Sequence, residues 1–293
     1  MHSLRIGCVK YLNTRPLIRG WPDQVDFDHP SALCRRLANG ELDVALVSSF
    51  EFLRNPIYRI VDDVSISSDG PVYSVVVAHR DEMSKVEEIE LDPASETSVN
   101  LLRCLLAEFG LGPRLVWNID LQSVRPAGLQ SAAPDAAENI SAGHTGKMPM
   151  FRVPRRGRLL IGDQAVRFRQ KHAGQFRFWD LGEEWQKLIG IPFVYALWLI
   201  RPEVADAQQV ANRLRAVRDK NLATLDQLIG EVVAGGGHPG RRIKLDREFL
   251  GRYYRKHLRF SFGEREKQGL QAFANSCVKH GLLPRRDPVF SVV

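Results

Sequence analysis

Five short, largely apolar runs, at 4–9, 42–47, 73–79, 159–163 and 193–200, punctuate a chain whose intervening stretches carry helical spacing. Each run is too short for a core helix and is bounded by turn residues, so each reads as a buried strand. A chain that alternates such strands with helices folds as an α/β sheet covered on both faces. Shorter strand-like pieces at 58–61, 115–117 and 176–180 fit the same rhythm.

The helical stretches have recognisable ends. Leu33, Leu37 and Ala38 share a face within 31–39, with Ser31 placed to cap it and Gly40 to stop it. Residues 48–54 predict a short helix, 99–109 an apolar helix closed by Gly110, 164–172 another, and 182–188 a turn or two. Between them, 80–90 reads as a charged connector. After Pro202 the chain is mostly helical, over 205–229, 246–257 and 263–280. One α/β unit, a second inserted into it and a return give a two-lobed body with crossings near Arg80 and Phe193. Lobe 1 then comprises 1–80 and 193–293, and lobe 2 comprises 81–192 with a long insertion near 122–158. The Ala-, Gly-, Ser- and Pro-rich part of that insertion, 122–150, has no period and reads as a surface loop. Ligands favour the cleft between such lobes.

Several functional classes lack their signatures. There is no GxSxG, HExxH or P-loop. One GxGxxG, at 235–240, follows a helix rather than a strand and reads as a connector. His79, His144 and His172 stand apart from any nucleophile motif, and no metal site is expected. The four cysteines are scattered without a CxxC pair, which fits buried, reduced thiols. No apolar window is long enough for a membrane span, and Met1–Gly7 lacks signal-peptide features, so a cytoplasmic protein without a membrane partner is expected. The net charge of +7 is spread over Arg-rich stretches such as 152–158 and 240–244. Without stacking aromatics or a recognition helix it reads as a solvated basic face, secondarily as attraction for a small anion, and not as a nucleic-acid surface.

Four polar clusters are candidates for a site, each with a structural alternative. Tyr11-Leu12-Asn13-Thr14-Arg15-Pro16 follows the first strand, where a loop at a carboxyl end faces the ligand crevice; taken alone, such a loop is more often a capped turn. Ser67-Ser68-Asp69-Gly70-Pro71-Val72-Tyr73-Ser74 bends into a long strand. Ser95-Glu96-Thr97-Ser98 places hydroxyls and free N–H groups at a helix start, either an anion receptor or an ordinary cap. Asp163, after Ile161-Gly162, either faces the same crevice or caps the next helix.

In their order along the chain these motifs resemble the chorismate dehydratases of the futalosine branch of menaquinone biosynthesis. Also contributing are Gly40-Glu41-Leu42-Asp43-Val44-Ala45, Asp180-Leu181-Gly182-Glu183-Glu184-Trp185, Pro192-Phe193-Val194-Tyr195-Ala196-Leu197-Trp198 and the tail motif Gly269-Leu270-Gln271-Ala272-Phe273. The resemblance implies a type II periplasmic-binding-protein-like fold with a central ligand cleft, matching the two lobes read above. It implies a hydro-lyase converting chorismate to 3-(1-carboxyvinyloxy)benzoate, the substrate's own enolpyruvyl carboxylate taking the proton. No cofactor is implied, and the partner is a small-molecule dicarboxylate. Asn13 and Ser74 carry over as the catalytic pair, with Ser68 a rival for the second role. Tyr11, Thr14, Arg15, Ser68, Ser95, Thr97, Ser98 and Asp163 are the expected substrate-binding residues. Lys10, Arg158 and the 122–158 segment depart from the pattern and bear on substrate identity. Two other readings stand beside this one: a non-catalytic cytoplasmic binding protein for a small carboxylate, and a sibling naphthoate-forming enzyme, against which Tyr11-Leu12-Asn13-Thr14 argues. Nothing in the sequence sets an oligomeric state.

Overall fold

The structure is a computed structural model that describes residues 4–117, 154–234, 245–285 and 290–293. The 122–150 loop and the Gly-rich 235–240 segment lie outside the described residues. The chain begins with β1 (Ile6–Cys8), α1 (Arg15–Ile18), β2 (Val25–Phe27), α2 (Pro30–Ala38), β3 (Val44–Ser48), α3 (Ser49–Arg54) and β4 (Arg59–Ser68). It continues through β5 (Val75–His79), β6 (Glu88–Leu91), α4 (Glu96–Glu108), β7 (Arg114–Trp117), β8 (Arg156–Ile161), α5 (Gly162–Lys171), β9 (Arg177–Asp180) and α6 (Leu181–Ile189). It ends with β10 (Phe193–Ile200), α7 (Ala207–Ala223), α8 (Leu225–Ala234), α9 (Arg247–Arg252), a π-helical turn at Tyr253–His257 and α10 (Glu264–Lys279). No helix among the described residues is long and apolar enough to cross a membrane.

Two mixed five-stranded sheets form the frame, in the orders β2-β1-β3-β10-β4 and β7-β6-β8-β5-β9. In the first, β1 runs parallel to β2 and β3, and β10 returns antiparallel between β3 and β4. In the second, β6 is parallel to β7 and β8, while β5 is antiparallel to β8 and β9. The inner strands β3 and β5 are buried at every residue, as strands covered by helices on both faces must be. One continuous apolar core runs through both sheets, with a small satellite of Val76, Ala78, Leu160 and Ala165 under Phe168, Phe176 and Phe178.

The first crossing differs from the expected one, and the second falls just before Phe193 as expected. The strand at Val75–His79 pairs with β8 and β9, so the chain leaves the first sheet between Ser68 and Val75, not near Arg80. The turn that makes the exchange has Gly70 at φ 111° and Tyr73 at φ 67°. The charged stretch from Arg80 only feeds β6, whose Glu88 is buried against Arg114 and, at 3.0 Å, Arg156. The return to the first sheet lies between Asp180 and Phe193, through α6. There Trp185, Phe193 and Phe273 stack edge-on, with centroids 5.1 Å apart for the first pair and 4.9 Å for the second, fixing the returning strand between α6 and α10.

Candidate active site

The carboxyl ends of β1 and β3, the crossing turn before β5 and the starts of α4 and α5 converge on one cleft of about 600 Å³, part of it open to solvent. Of the residues expected from the sequence, Tyr11, Asn13, Thr14, Ser74, Ser95 and Ser98 line it.

After β1 the backbone makes a short 3-10 turn at Leu12–Thr14 and enters α1 directly, where the sequence predicts a loop. Thr14 shapes that turn: its hydroxyl is shared between the carbonyls of Val9 at 2.6 Å and Tyr11 at 2.9 Å. Its proton is therefore committed to the backbone. Asn13 is carried at the middle of the turn, and its Oδ1 is buried with no hydrogen-bond partner. An orphaned buried acceptor costs free energy unless a bound molecule satisfies it. Tyr11 closes against the start of α5 because residue 162 is glycine: a Cβ there would lie 2.8 Å from the Tyr11 ring, and φ is +53°. Burial, helped by Asp92 and Asp163, pushes the Tyr11 phenol well up.

Ser74 sits just past the crossing turn, buried, with its carbonyl accepting the Gly162 N–H at 2.8 Å. Its hydroxyl reaches the Val72 carbonyl at 3.5 Å, the weak limit of a hydrogen bond, and also meets the buried Tyr253 phenol, so no strong backbone acceptor holds its proton. At α4, Ser95 is the N-cap, accepting from the Ser98 N–H at 3.3 Å, and the two hydroxyls lie 3.0 Å apart. Capping and lining thus coexist in the same residues.

The other four expected residues are engaged elsewhere. Thr97 joins the sheets: its N–H donates to Ser48 Oγ at 3.1 Å, and its Oγ1 accepts from the Phe50 N–H at 3.0 Å. Asp163 does not cap α5, whose cap position is Ile161; its carboxylate accepts the Leu12 N–H at 2.8 Å, holding the turn that bears Asn13. Arg15 opens α1 with an exposed side chain, within electrostatic reach of Tyr254 and Glu231. Ser68 donates to the Gly70 carbonyl at 3.0 Å, which spends its proton. Its 3.1 Å partner, the Tyr195 hydroxyl, is therefore the donor in that pair. Tyr195 lines the cleft with its proton directed to Ser68 and its oxygen free to accept. Lys10 and Arg158 do not line the cleft; Lys10 lies 6.0 Å from the Phe27 ring and Arg158 pairs with Glu90 at 3.5 Å.

Ser48 and Tyr195 line the cleft without having been singled out. The signal for Ser48 was its place at the carboxyl end of a parallel strand. For Tyr195 it was a lone hydroxyl in an otherwise apolar strand.

Among the described residues lining the cleft, none is formally charged. An anion held there meets hydroxyls, the Asn13 amide and the N-terminal ends of α4 and α5, each carrying about half a positive elementary charge. In a partly enclosed, largely apolar pocket such fixed dipoles act more strongly than in water.

Comparison with known proteins follows the same lines. A protein-family model described as menaquinone biosynthesis matches residues 4–137 and 143–279. A chorismate dehydratase from Thermus thermophilus is 29% identical over 295 residues, covering 94% of this chain and 96% of that protein. An alkanesulfonate-binding protein from Xanthomonas axonopodis pv. citri, solved with MOPS, superposes with a TM-score of 0.56 at 16% identity, over 99% of this chain and 97% of the other. The periplasmic aliphatic sulphonate-binding protein of Escherichia coli gives 0.58 at 13% identity, over 99% and 96%. At those identities the likeness is one of fold, and the fold is two-lobed α/β of periplasmic-binding-protein type.

Proposed function

The chain belongs to the menaquinone-biosynthesis family, and on that premise we propose that it is a chorismate dehydratase. It is a hydro-lyase that removes water from chorismate to give 3-(1-carboxyvinyloxy)benzoate in the futalosine route. A ring C–H bond breaks as its electron pair enters the ring, hydroxide leaves from the neighbouring carbon, and the gain of aromaticity drives the step. The substrate's enolpyruvyl carboxylate takes the proton. The protein's part is to hold a reactive conformer and to stabilise charge that develops as the hydroxyl departs.

Asn13 and Ser74 are the proposed catalytic pair. The Ser74 hydroxyl donates to the departing oxygen, and the Asn13 amide orients the hydroxyl and the enolpyruvyl carboxylate. Ser95 and Ser98, at the start of α4, receive the ring carboxylate, and Tyr11 closes the cleft over it. The two sheets with their helices act as lobes that shut around the substrate and exclude water. The observation that carries this reading is Asn13 Oδ1, buried and unpartnered in an uncharged cleft that also holds Ser74.

The test is incubation of the purified protein with chorismate, following the aromatic product by absorbance and by mass. A product one water lighter than chorismate is expected. No turnover, with tight binding of a different small acid, would replace the enzyme by a carboxylate-binding protein of the same fold.

A further inference from the structure

The crossing turn before Ser74 is held at nearly every residue. Asp69 takes Arg259 at 2.8 Å and Arg265 at 3.0 Å, and His257 Nδ1 meets the Pro71 carbonyl at 2.9 Å. Tyr73 has φ 67°, a left-handed backbone that a bulky residue adopts only when its surroundings impose it. Those surroundings are visible. The Arg169 guanidinium lies 4.2 Å from the centre of the Tyr73 ring, and Phe249 packs at 5.0 Å. The Tyr73 N–H is held by a carboxylate that is itself buried, Asp180.

Asp180 divides its two oxygens between two tasks. Oδ1 caps α6 through the Gly182 N–H at 3.1 Å and the Glu183 N–H at 3.3 Å, and also accepts the Val72 N–H at 3.0 Å. Oδ2 accepts the Tyr73 N–H at 2.8 Å and Arg169 Nη1 at 3.2 Å. One side chain at the end of β9 therefore clamps the N–H groups of the two residues that precede Ser74. Strain of this kind gathers where a neighbouring group has to be aimed.

We propose that Asp180 is a positioning residue for the dehydration: it holds Tyr73 in its left-handed conformation and so directs the Ser74 hydroxyl into the cleft. The proposal rests on the assignment of Ser74 to the reaction.

A double-mutant cycle with chorismate as substrate separates positioning from mere stability. Asp180→Asn keeps Oδ1 for the α6 cap and for Val72 but sets an amide NH2 against the Tyr73 N–H and Arg169. The expected result is a fall in kcat of about 30-fold or more. KM should stay within about three-fold. The same change made in Ser74→Ala should cost nothing further, because there is no hydroxyl left to aim. Equal losses in both backgrounds, or a change in KM alone, overturn the proposal. Thermal melting accompanies each variant; where Asp180→Asn does not fold, Tyr73→Gly decides. That variant relaxes the left-handed backbone and removes the ring under Arg169 while leaving the α6 cap. It should again be non-additive with Ser74→Ala, and additivity overturns the proposal. Ser74→Ala at the wild-type rate overturns it as well. A wild-type protein that does not turn chorismate over defeats the functional reading itself and is recognised before any variant is made.

Discussion

Asn13 and Ser74 are held in different ways, and that difference sets what their removal should do. Asn13 rides on a turn fixed by Thr14 and Asp163 from outside, so truncating its side chain leaves the backbone in place. Ser74 contributes a hydroxyl held by a 3.5 Å contact to the Val72 carbonyl and by the Tyr253 phenol, neither of which fixes the backbone. Asn13→Ala and Ser74→Ala should each lower kcat by ~100-fold or more with little change in melting temperature, the scale of losing one oriented transition-state donor. Near-wild-type rates in both would remove them from the reaction. The pH dependence follows from the same residues. The phenols of Tyr11 and Tyr195 are both pushed up by burial, so they stay protonated through neutral and mildly alkaline conditions. The substrate's carboxylates, with ordinary values near ~4, stay ionised over the same range. A plot of kcat/KM should therefore be flat between about pH 6 and 9, and a bell centred near neutrality would point to an acid–base pair on the protein. At this scale the sequence exposed Asn13, Ser74, Ser95 and Ser98, because they sit in polar turns and at a helix start, but not Ser48 or Tyr195, which lie within apolar strands. It hid the inward turn of Thr97 and Ser68, because whether a serine or threonine faces a ligand or a neighbouring backbone depends on tertiary partners no local pattern encodes.

Elements were legible where apolar runs were long and hidden where charges had partners. The strands at Val44–Ser48, Val75–His79 and Phe193–Ile200 stand out from their Val-, Leu- and aromatic-rich runs. The strand at Glu88–Leu91 does not, because Glu88 and Glu90 resemble surface charge until Arg114, Arg156 and Arg158 are brought beside them from distant positions. The strand predicted at 58–61 extends to Ser68 because Asp63, at φ 60°, makes an irregularity that Arg218 clamps through both its carbonyl and its carboxylate. Helix α2 starts at Pro30 with His29 at its cap, two residues ahead of the Ser31 signal, since proline is favoured at a first helical position. The long C-terminal helix breaks at Thr224 into α7 and α8. Packing between elements gives a sharper test than their boundaries. A Cβ on Gly269 of α10 would lie 1.9 Å from the Pro192 carbonyl oxygen, at the entry to β10. Gly269→Ala should therefore destabilise by about 3 kcal/mol, the upper range for overpacking, because a backbone atom cannot swing aside as a side chain can. Urea unfolding measures it, and an unchanged midpoint would mean that α10 does not rest on that carbonyl.

On the scale of the molecule, the two sheets meet along two seams with the cleft between them. At one, α4 belongs by connection to the second sheet yet is tied to the first: Thr97 to Ser48 and Phe50, Glu96 to Arg54 at 2.9 Å, and Glu108 to Lys279 at 2.7 Å and His280 at 2.8 Å. The buried Cys104 and Cys277, free and with sulfurs 3.9 Å apart, lie along the same contact between α4 and α10. At the other seam Tyr11 packs over Gly162 and the Leu12 N–H donates to Asp163. A seam with many ties is the natural axis, and one with few is the natural mouth. We predict that Asp163 acts as a latch that favours the shut state. A hydrogen bond to a charged group contributes ~1.5–3 kcal/mol, and ~1.4 kcal/mol is a factor of ten in an equilibrium. Asp163→Ala should thus raise KM by about ten-fold with kcat within about three-fold, since bound substrate still draws the lobes together. Small-angle scattering of the ligand-free variant should give a larger radius of gyration than the wild type, and product should remove the difference. A fall in kcat at constant KM and constant radius would mean instead that Asp163 serves only to steady the turn that carries Asn13.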